Sequence, residues 1–255
     1  MLQTQPILTV LQHDRDVPLD RFATWLDGVE TRVVRLFDGE AVPTLSEAGA
    51  GLLVLGGAQN AYDDERAPWL PATRELLAAA VRADLPVLAI CLGHQLLAAA
   101  LGGRVEVAAP PGREVGIVPV TWRPDAASDP VLGPVVRAAQ TAGADAPANG
   151  VLQPSMHGDA VVELPPGGQW LASSAMYPFQ AMRVGSALGV QFHPEASPEL
   201  LARWAAGHGD DGAALEAEAR AHDEHVSVAG RALAQAFASE VRAAAERQAV
   251  STLQA

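Results

Sequence analysis

Short apolar runs alternate with helical patterns along the first hundred residues of the chain. In order, strands are predicted at Ile7–Leu11, Arg32–Phe37, Gly51–Leu55 and Pro86–Ile90, and helices at Leu19–Leu26 and Trp69–Ala83. Alternation of this kind predicts a mostly parallel sheet that is covered by helices on both faces. Ligands bind beyond the carboxyl ends of the strands in such sheets. The sequence therefore favours an α/β fold with its site at that edge.

The only cysteine, Cys91, lies where the fourth predicted strand turns into a helix. Leu92-Gly93 interrupts the apolar run, and Gln95–Leu101 predicts a helix that ends at Gly102-Gly103. A lone cysteine after an apolar run is usually a small buried hydrophobic residue. At a strand-to-helix elbow, however, backbone N–H groups and a helix N-terminus lie beneath the thiol and favour the thiolate. The position of Cys91 therefore favours a nucleophile.

A second apolar strand ends in Gln191-Phe192-His193-Pro194-Glu195. His193 and Glu195 are two residues apart, so their side chains point the same way on an extended backbone. Pro194 cannot continue a central strand and places the pair at the strand's end. An imidazole can take the proton of a thiol, and a carboxylate on its other nitrogen sets the tautomer. Cys91, His193 and Glu195 are the predicted catalytic residues.

Three motifs carry a family resemblance: Gly56-Gly57, Cys91-Leu92-Gly93-His94-Gln95 and Gln191-Phe192-His193-Pro194-Glu195. Together they resemble the class I, triad-type glutamine amidotransferases, from about Ile7 to Trp204. The similarity is closest to stand-alone proteins that resemble the glutaminase domain of guanosine monophosphate synthetase. It implies a flavodoxin-like α/β fold with a smaller antiparallel region. It also implies hydrolysis of the glutamine side-chain amide to glutamate and ammonia through a γ-glutamyl thioester on Cys91.

The tetrahedral intermediate of this chemistry carries an oxyanion that needs two preorganised donors. The N–H of Leu92 follows the nucleophile and is one natural donor. The other is expected from the Gly56-Gly57 turn, because glycine lets the backbone approach a ligand closely. The resemblance assigns this role to Gly57. The chain departs from the family pattern at Ala58, where proline is common, and at Ala89, where an elbow often has glycine.

Substrate-binding residues are expected on the helix after Cys91 and near residue 157. Gln95 lies one helical turn beyond Cys91 and hence on the same face. The resemblance implies that Gln95 holds the amino-acid end of the substrate, and that Met156, Gly158 and Asp159 receive that end, mostly through backbone contacts. It leaves His157 a structural role in that loop.

The middle of the chain predicts a more antiparallel region, with strands at Glu114–Trp122, Val161–Leu164, Trp170–Ser174, Phe179–Val184 and Ala187–Phe192. A helix is predicted at Val131–Ala139 and a flexible loop at Thr141–Gly150. These segments complete a predicted amidotransferase domain over residues 1–206.

The chain after Pro198 is rich in Ala and Glu and predicts three helices, at Glu199–Ala206, Ala213–His222 and Val226–Gln248. Residues 207–255 are expected to form a C-terminal helical extension that packs on the domain. His222 and His225 have a spacing that can bind a metal, but no third ligand is evident, so no metal or cofactor is predicted.

Composition excludes several other classes of protein. The net charge of −13 argues against binding to a nucleic-acid backbone, which needs clustered Lys and Arg. No apolar run approaches the ~20 residues that span a bilayer, and the N-terminus lacks the basic segment of a signal peptide. A single cysteine excludes an intramolecular disulfide and suits a reducing compartment. The expected location is the cytoplasm, with no membrane partner.

Three functions remain open from the sequence. The first is a glutaminase whose ammonia feeds a separate synthase subunit, since no phosphate-binding loop of the Gly-rich Lys-Ser/Thr type is present. The second is a γ-glutamyl hydrolase that releases an amine from a γ-glutamyl amide or peptide. The third is a non-catalytic interaction protein, against which the intact Cys91, His193 and Glu195 argue.

Overall fold

The computed structural model describes residues 5–141 and 149–254, which form eleven β-strands and seven α-helices. The strands are β1 (Ile7–Gln12), β2 (Glu30–Arg35), β3 (Gly51–Val54), β4 (Val87–Ile90), β5 (Arg104–Glu106), β6 (Glu114–Trp122), β7 (Gly150–His157), β8 (Ala160–Glu163), β9 (Gln169–Ser173), β10 (Ala181–Val184) and β11 (Ala187–Val190). The helices are α1 (Phe22–Trp25), α2 (Leu70–Arg82), α3 (Leu92–Ala100), α4 (Leu132–Thr141), α5 (Pro198–Gly207), α6 (Gly212–Ala221) and α7 (Asp223–Gln254).

Nine strands form one sheet in the order β2-β1-β3-β4-β11-β10-β9-β6-β7, and β5 pairs with β8 in a separate antiparallel ribbon. The first five strands in this order are parallel, and the remaining four continue the sheet in antiparallel pairs. The predicted α/β fold with a parallel sheet and a smaller antiparallel region is confirmed. β3, β4 and β11 are neighbours, so the segments that follow them emerge side by side at one edge.

The parallel strands are apolar on both faces because helices cover both. On one face, residues of β1, β3 and β4 pack against α1, α4 and α7; these buried side chains include Leu8, Leu53, Leu88, Phe22, Leu132, Leu233 and Phe237. On the other face, alternate residues pack against α2 and α3, among them Leu52, Val54, Val87, Leu70, Leu77 and Leu96. Because successive side chains of a strand point to opposite faces of the sheet, each parallel strand contributes side chains to two separate cores.

Several element boundaries differ from those predicted. A helix is predicted over Leu19–Leu26, but the structure has only one turn there, α1. Asp20 has a φ of 43°, which a right-handed helix does not allow, so the helix begins only after Asp20. The strand predicted at Arg32–Phe37 ends at Arg35, where a 3-10 turn closes on Gly39 with a φ of 89°.

Two strands, β5 and β7, were not predicted. β7 carries Pro154 and polar residues, so it lacks the alternation of a half-buried strand; it forms by pairing along its whole length with β6. The predicted loop at Thr141–Gly150 lies mostly outside the described residues, and Gly150 itself opens β7.

The three C-terminal helices form close to where they are predicted, but the last is longer. α7 begins at Asp223 rather than Val226 and extends to Gln254. Its buried side chains Leu233, Phe237 and Val241 belong to the same core cluster as β3 and β4. Among the described helices, none combines the length and the apolar character needed to cross a membrane.

Candidate active site

Cys91 occupies a strained elbow between β4 and α3. Its φ of 51° and ψ of −106° are rare for a residue with a side chain, and such strain costs on the order of 1–3 kcal/mol. Its N–H donates to the carbonyl of Val190 at 2.8 Å, which ties the elbow to β11. Gly93 permits the turn, because a Cβ there would overlap the carbonyl oxygen of Val54. The thiol is 7% exposed at the start of α3, where unpaired helix N–H groups favour negative charge.

His193 and Glu195 form a buried pair beyond the end of β11. His193 Nδ1 lies 2.8 Å from Glu195 Oε1, and the side chains are 4% and 0% exposed. Pro194 bends the chain so that both residues face the same way, and His193 N–H donates to the carbonyl of Pro154 at 2.8 Å. The indole ring of Trp204 packs on the imidazole with ring centroids 4.6 Å apart. His193 is therefore held by Glu195, by the Pro154 carbonyl and by the Trp204 ring.

The electrostatics of His193 favour the charged imidazolium. Burial opposes that form, but the negative charges of Glu195 and Cys91, with hydrogen bonds to both, outweigh it and raise the pKa of His193 to about 10. The arrangement is that of a cysteine beside an imidazole that a carboxylate orients.

The Gly56-Gly57 turn after β3 lies directly against the nucleophile. A Cβ at Gly56 would lie 3.0 Å from Cε1 of His193 and 3.4 Å from Cβ of Cys91. A Cβ at Gly57 would lie 3.0 Å from the Leu92 side chain and 2.6 Å from Oε1 of Gln59. Glycine thus allows close approach at both positions. Gly57 and Leu92 lie side by side next to Cys91, and their role as oxyanion donors stays a prediction.

Gln95 begins a hydrogen-bonded chain that reaches the thiol. Its Nε2 donates to the carbonyl of Asp159 at 3.0 Å and to Oε1 of Gln191 at 3.3 Å. Gln191 Nε2 in turn lies 3.5 Å from Sγ of Cys91. Gln191 belongs to the motif that contains His193 and Glu195, but no role is predicted for it from the sequence. Its spacing of two from His193, on the same face of the strand's end, is the signal that places it in the site.

Two cavities meet at Cys91. The smaller has a volume of about 160 Å³ and is lined by Gly57, Ala58, Gln59, Cys91, Gln95, Met156, His157, Gly158, Asp159 and His208. The larger has a volume of about 620 Å³, and its wall includes Asp14, Asp16, Gly57, Cys91, His193, Arg203, Trp204 and His208.

The structure brings every predicted site residue to this region. The predicted substrate-binding residues, Gln95, Met156, Gly158 and Asp159, all line the smaller cavity. Leu92 and Glu195 are buried behind the cavity walls. The carboxylate of Asp159 turns away and accepts from the N–H of Ala108 at 2.8 Å, so its carbonyl is the group that meets Gln95. Within the described residues, no group of three or more His, Cys, Asp or Glu side chains could hold a metal ion.

Fold and site together define a class of protein, in which an α/β sheet presents a cysteine at an elbow beside a His–Glu pair. The model of the family described as glutamine amidotransferase class-I matches residues 27–203, and the chain belongs to this family.

Its relatives include both separate synthase subunits and longer synthases. The chain is 33% identical to a subunit of the glutamine-hydrolyzing GMP synthase of Natronomonas pharaonis over 193 residues, which cover 75% of this chain and 88% of that protein. It is 37% identical to the glutamine-hydrolyzing GMP synthase of Thermomicrobium roseum over 147 residues, which cover 58% of this chain but only 23% of that protein.

Solved structures support the fold. A glutamine amidotransferase from Thermotoga maritima superposes with a TM-score of 0.77 at 22% identity, covering 92% of this chain and 99% of that one. A glutamine amidotransferase from Methylobacillus flagellatus gives a TM-score of 0.74 at 24% identity, covering 96% and 95% of the two chains. At these identities the likeness establishes the architecture.

Proposed function

We propose that the protein hydrolyses the side-chain amide of L-glutamine to glutamate and ammonia through a γ-glutamyl thioester on Cys91. The observation that carries the proposal is the convergence of three groups on one crevice. These are the elbow thiol, the buried His193–Glu195 pair, and the glycine turn that faces Leu92. A binding module has no use for a strained nucleophile with a charged base beside it.

Each half of the reaction has a defined proton path. Sγ attacks the amide carbon, and the oxyanion accepts from the N–H groups of Gly57 and Leu92. His193 donates its proton to the departing nitrogen, so that ammonia leaves and a thioester remains. Neutral His193 then takes a proton from water, whose oxygen attacks the thioester carbon. The carbon–sulfur bond breaks, glutamate leaves, and the thiolate–imidazolium pair is restored. Glu195 holds the imidazole orientation throughout.

The two cavities accommodate different ends of the substrate. The smaller holds Gln95 and the Met156–Asp159 stretch and suits the amino-acid end. His193 lines only the larger, so the leaving nitrogen departs on that side.

A volume of about 620 Å³ is far more than ammonia needs, since one water occupies ≈ 30 Å³ of liquid. This observation supports a second candidate, a γ-glutamyl hydrolase that releases a larger amine. For the first candidate, the expected partner is an ammonia-accepting synthase subunit. The Natronomonas relative supports this expectation, because it is itself named as one subunit of a synthase.

A product assay separates these candidates. Purified protein is incubated with L-glutamine and, separately, with γ-glutamyl ethylamide, and ammonia, ethylamine and glutamate are quantified against a Cys91→Ser control. Ammonia from glutamine supports the proposal, and faster release of ethylamine supports the second candidate. A protein inert toward both, whose Cys91 also resists a glutamine-like electrophile such as 6-diazo-5-oxonorleucine, would refute both.

A further inference from the structure

The buried carboxylate of Glu114 lies near the smaller cavity and accepts hydrogen bonds from several elements. Glu114 opens β6 and is 3% exposed. It accepts from Ser174 Oγ at 2.5 Å and Gln180 Nε2 at 2.6 Å, and it lies 3.1 Å from Nε2 of His157. Burial opposes ionisation, but the hydrogen bonds and charge of these donors, led by His157, hold the pKa of Glu114 below its usual range. The mechanism above makes no use of this group.

His157 lies between two groups that can only accept. Its Nε2 faces the Glu114 carboxylate, and its Nδ1 lies 3.0 Å from the carbonyl oxygen of Asp159. An ionised carboxylate and a carbonyl oxygen have no proton to give, so both ring nitrogens must donate. Only the imidazolium carries two N–H groups. Glu114 and His157 are therefore an ion pair, with the ring of Tyr177 packed against the imidazole at 4.9 Å between centroids.

The ion pair connects directly to the substrate-binding wall. The Asp159 carbonyl that accepts from His157 also accepts from Gln95 Nε2. Gln95 Nε2 is thereby committed to Asp159 and Gln191, and its Oε1 is the atom left to accept from a substrate ammonium group. The amide of Gln95 keeps this orientation only while the Asp159 carbonyl stays in place. Gly158, which precedes Asp159, has no side chain to hold the loop.

We propose that Glu114, acting through the His157 imidazolium, is the positioning residue for the amino-acid end of the substrate. The inference rests on the proposed function for the identity of that substrate. The Glu114 carboxylate stabilises the charged form of His157. The charged ring donates to the Asp159 carbonyl and holds it in place. That carbonyl accepts from Gln95 Nε2, which leaves Gln95 Oε1 to accept from the substrate. Removing the carboxylate weakens substrate binding and leaves the thiol chemistry at Cys91 in place.

Several groups face His157 from the elements packed against it. They are Glu114, the Tyr177 ring, the Asp159 main chain and, farther off, His94, whose own pKa is lowered to about 3, mainly by burial and in a smaller part by the His157 charge. Glu114 is the one anion among them in hydrogen-bond contact. Its loss therefore removes the anion that the imidazole contacts.

Calorimetric titration of L-glutamine into a Cys91→Ala background measures binding without turnover. Adding Glu114→Gln should weaken binding by about 10-fold or more, because hydrogen bonds to charged groups contribute about 1.5–3 kcal/mol. The matched control is Glu163→Gln, an exposed carboxylate at the end of β8 that pairs with Arg104 at 3.7 Å. Equal affinities for Glu114→Gln and the control would overturn the positioning role.

The protonation state is measured on the unsubstituted protein. The ¹⁵N spectrum of its histidines, with His157 assigned through bonds, should show two protonated ring nitrogens at pH 7; a neutral tautomer would overturn the ion pair. This test stands even if Glu114→Gln does not fold. If the Cys91→Ala parent does not bind glutamine, the proposed substrate fails, whereas binding that Glu114→Gln leaves unchanged refutes this inference alone.

Discussion

In the proposed mechanism, Cys91 reacts beside a protonated His193. The raised pKa of His193 keeps that proton on the ring at and above neutral pH. Because the pKa of His193 rises from 6.5 to about 10 in the folded protein, its charged contacts stabilise the fold fully below pH 6.5. That stabilisation is lost as the pH rises from 6.5 through about 10, where the folded state also releases the proton.

We therefore expect Glu195→Gln to lower the free energy of unfolding most at pH 6 and least near pH 10, because the variant loses the anion that faces the imidazolium. Urea unfolding at both pH values measures the difference. An equal difference at pH 6 and pH 10 would contradict the raised pKa. The same variant should slow turnover, since the imidazole loses its orienting carboxylate.

Gln191 is expected to support the thiolate directly, because its Nε2 lies 3.5 Å from Sγ. Gln191→Leu removes this donor, and hydrogen bonds to charged groups contribute about 1.5–3 kcal/mol, or roughly 10- to 100-fold in rate. Alkylation of Cys91 by iodoacetamide at pH 7 should slow within this range. Gln169→Leu, at an exposed position at the start of β9, is the control, and alkylation at the same rate in both variants would exclude a role for Gln191.

The proposed catalytic residues, which the structure brings together, each carry a local signal in the sequence. Cys91 follows an apolar run that breaks at Gly93, and His193 and Glu195 are two apart around a proline. Glu114 gives no such signal, because its partners are distant in the chain and meet it only when β6 pairs with both β7 and β9. The residues proposed for the chemistry therefore stand in short sequence motifs, whereas Glu114 and its partners are far apart in the sequence.

At the scale of elements, the elbow depends on how closely α3 approaches β3. A Cβ on Gly93 would overlap the carbonyl oxygen of Val54, so the helix would have to move away from the sheet. In a helix interior, Gly→Ala normally gains about 1 kcal/mol from propensity. Here we expect Gly93→Ala to destabilise the fold instead, by about 1–3 kcal/mol, as overpacking does.

The Gly93→Ala variant should also lose most of its turnover, since α3 carries Cys91, Leu92 and Gln95 together. Thermal unfolding and glutaminase assays measure the two effects. Ala99→Gly, at a partly exposed position of the same helix, controls for propensity alone and should cost about 1 kcal/mol with activity retained. A Gly93→Ala protein as stable as the original would contradict the tight packing.

The parallel elements were predictable because they alternate with helices and end in glycine, proline or a polar turn. β7 was missed because a strand that is buried on both faces and contains Pro154 shows no period of two. α1 was predicted too long, since an apolar pattern does not reveal the left-handed backbone at Asp20. Periodicity thus found the elements that are set by local pattern, and pairing across the sheet determined the others.

At the scale of the whole molecule, we propose that residues 1–206 form the amidotransferase domain and residues 207–255 an extension that supports its site. Two contacts of α7 support the proposal. Gly230 packs against the main chain of Pro194, which lies between the proposed catalytic residues His193 and Glu195. A Cβ on Gly51, at the start of β3, would lie 2.7 Å from Cγ2 of Val241. The last helix thus contacts both the triad turn and the sheet that carries the oxyanion loop.

Gly230 offers the sharpest test of this support. A Cβ there would overlap the carbonyl oxygen of Pro194 and come within 2.9 Å of the Trp25 ring, so α7 or the His193-Pro194-Glu195 turn must shift. We expect Gly230→Ala to lower kcat for glutamine about 10-fold or more, because misplacement of catalytic groups by about 1 Å can cost 10²-fold. Ser239→Ala, exposed on the same helix, should leave kcat unchanged. If both variants retained full activity while Gly230→Ala remained folded, α7 would be a cover for the core and not a support for the catalytic turn.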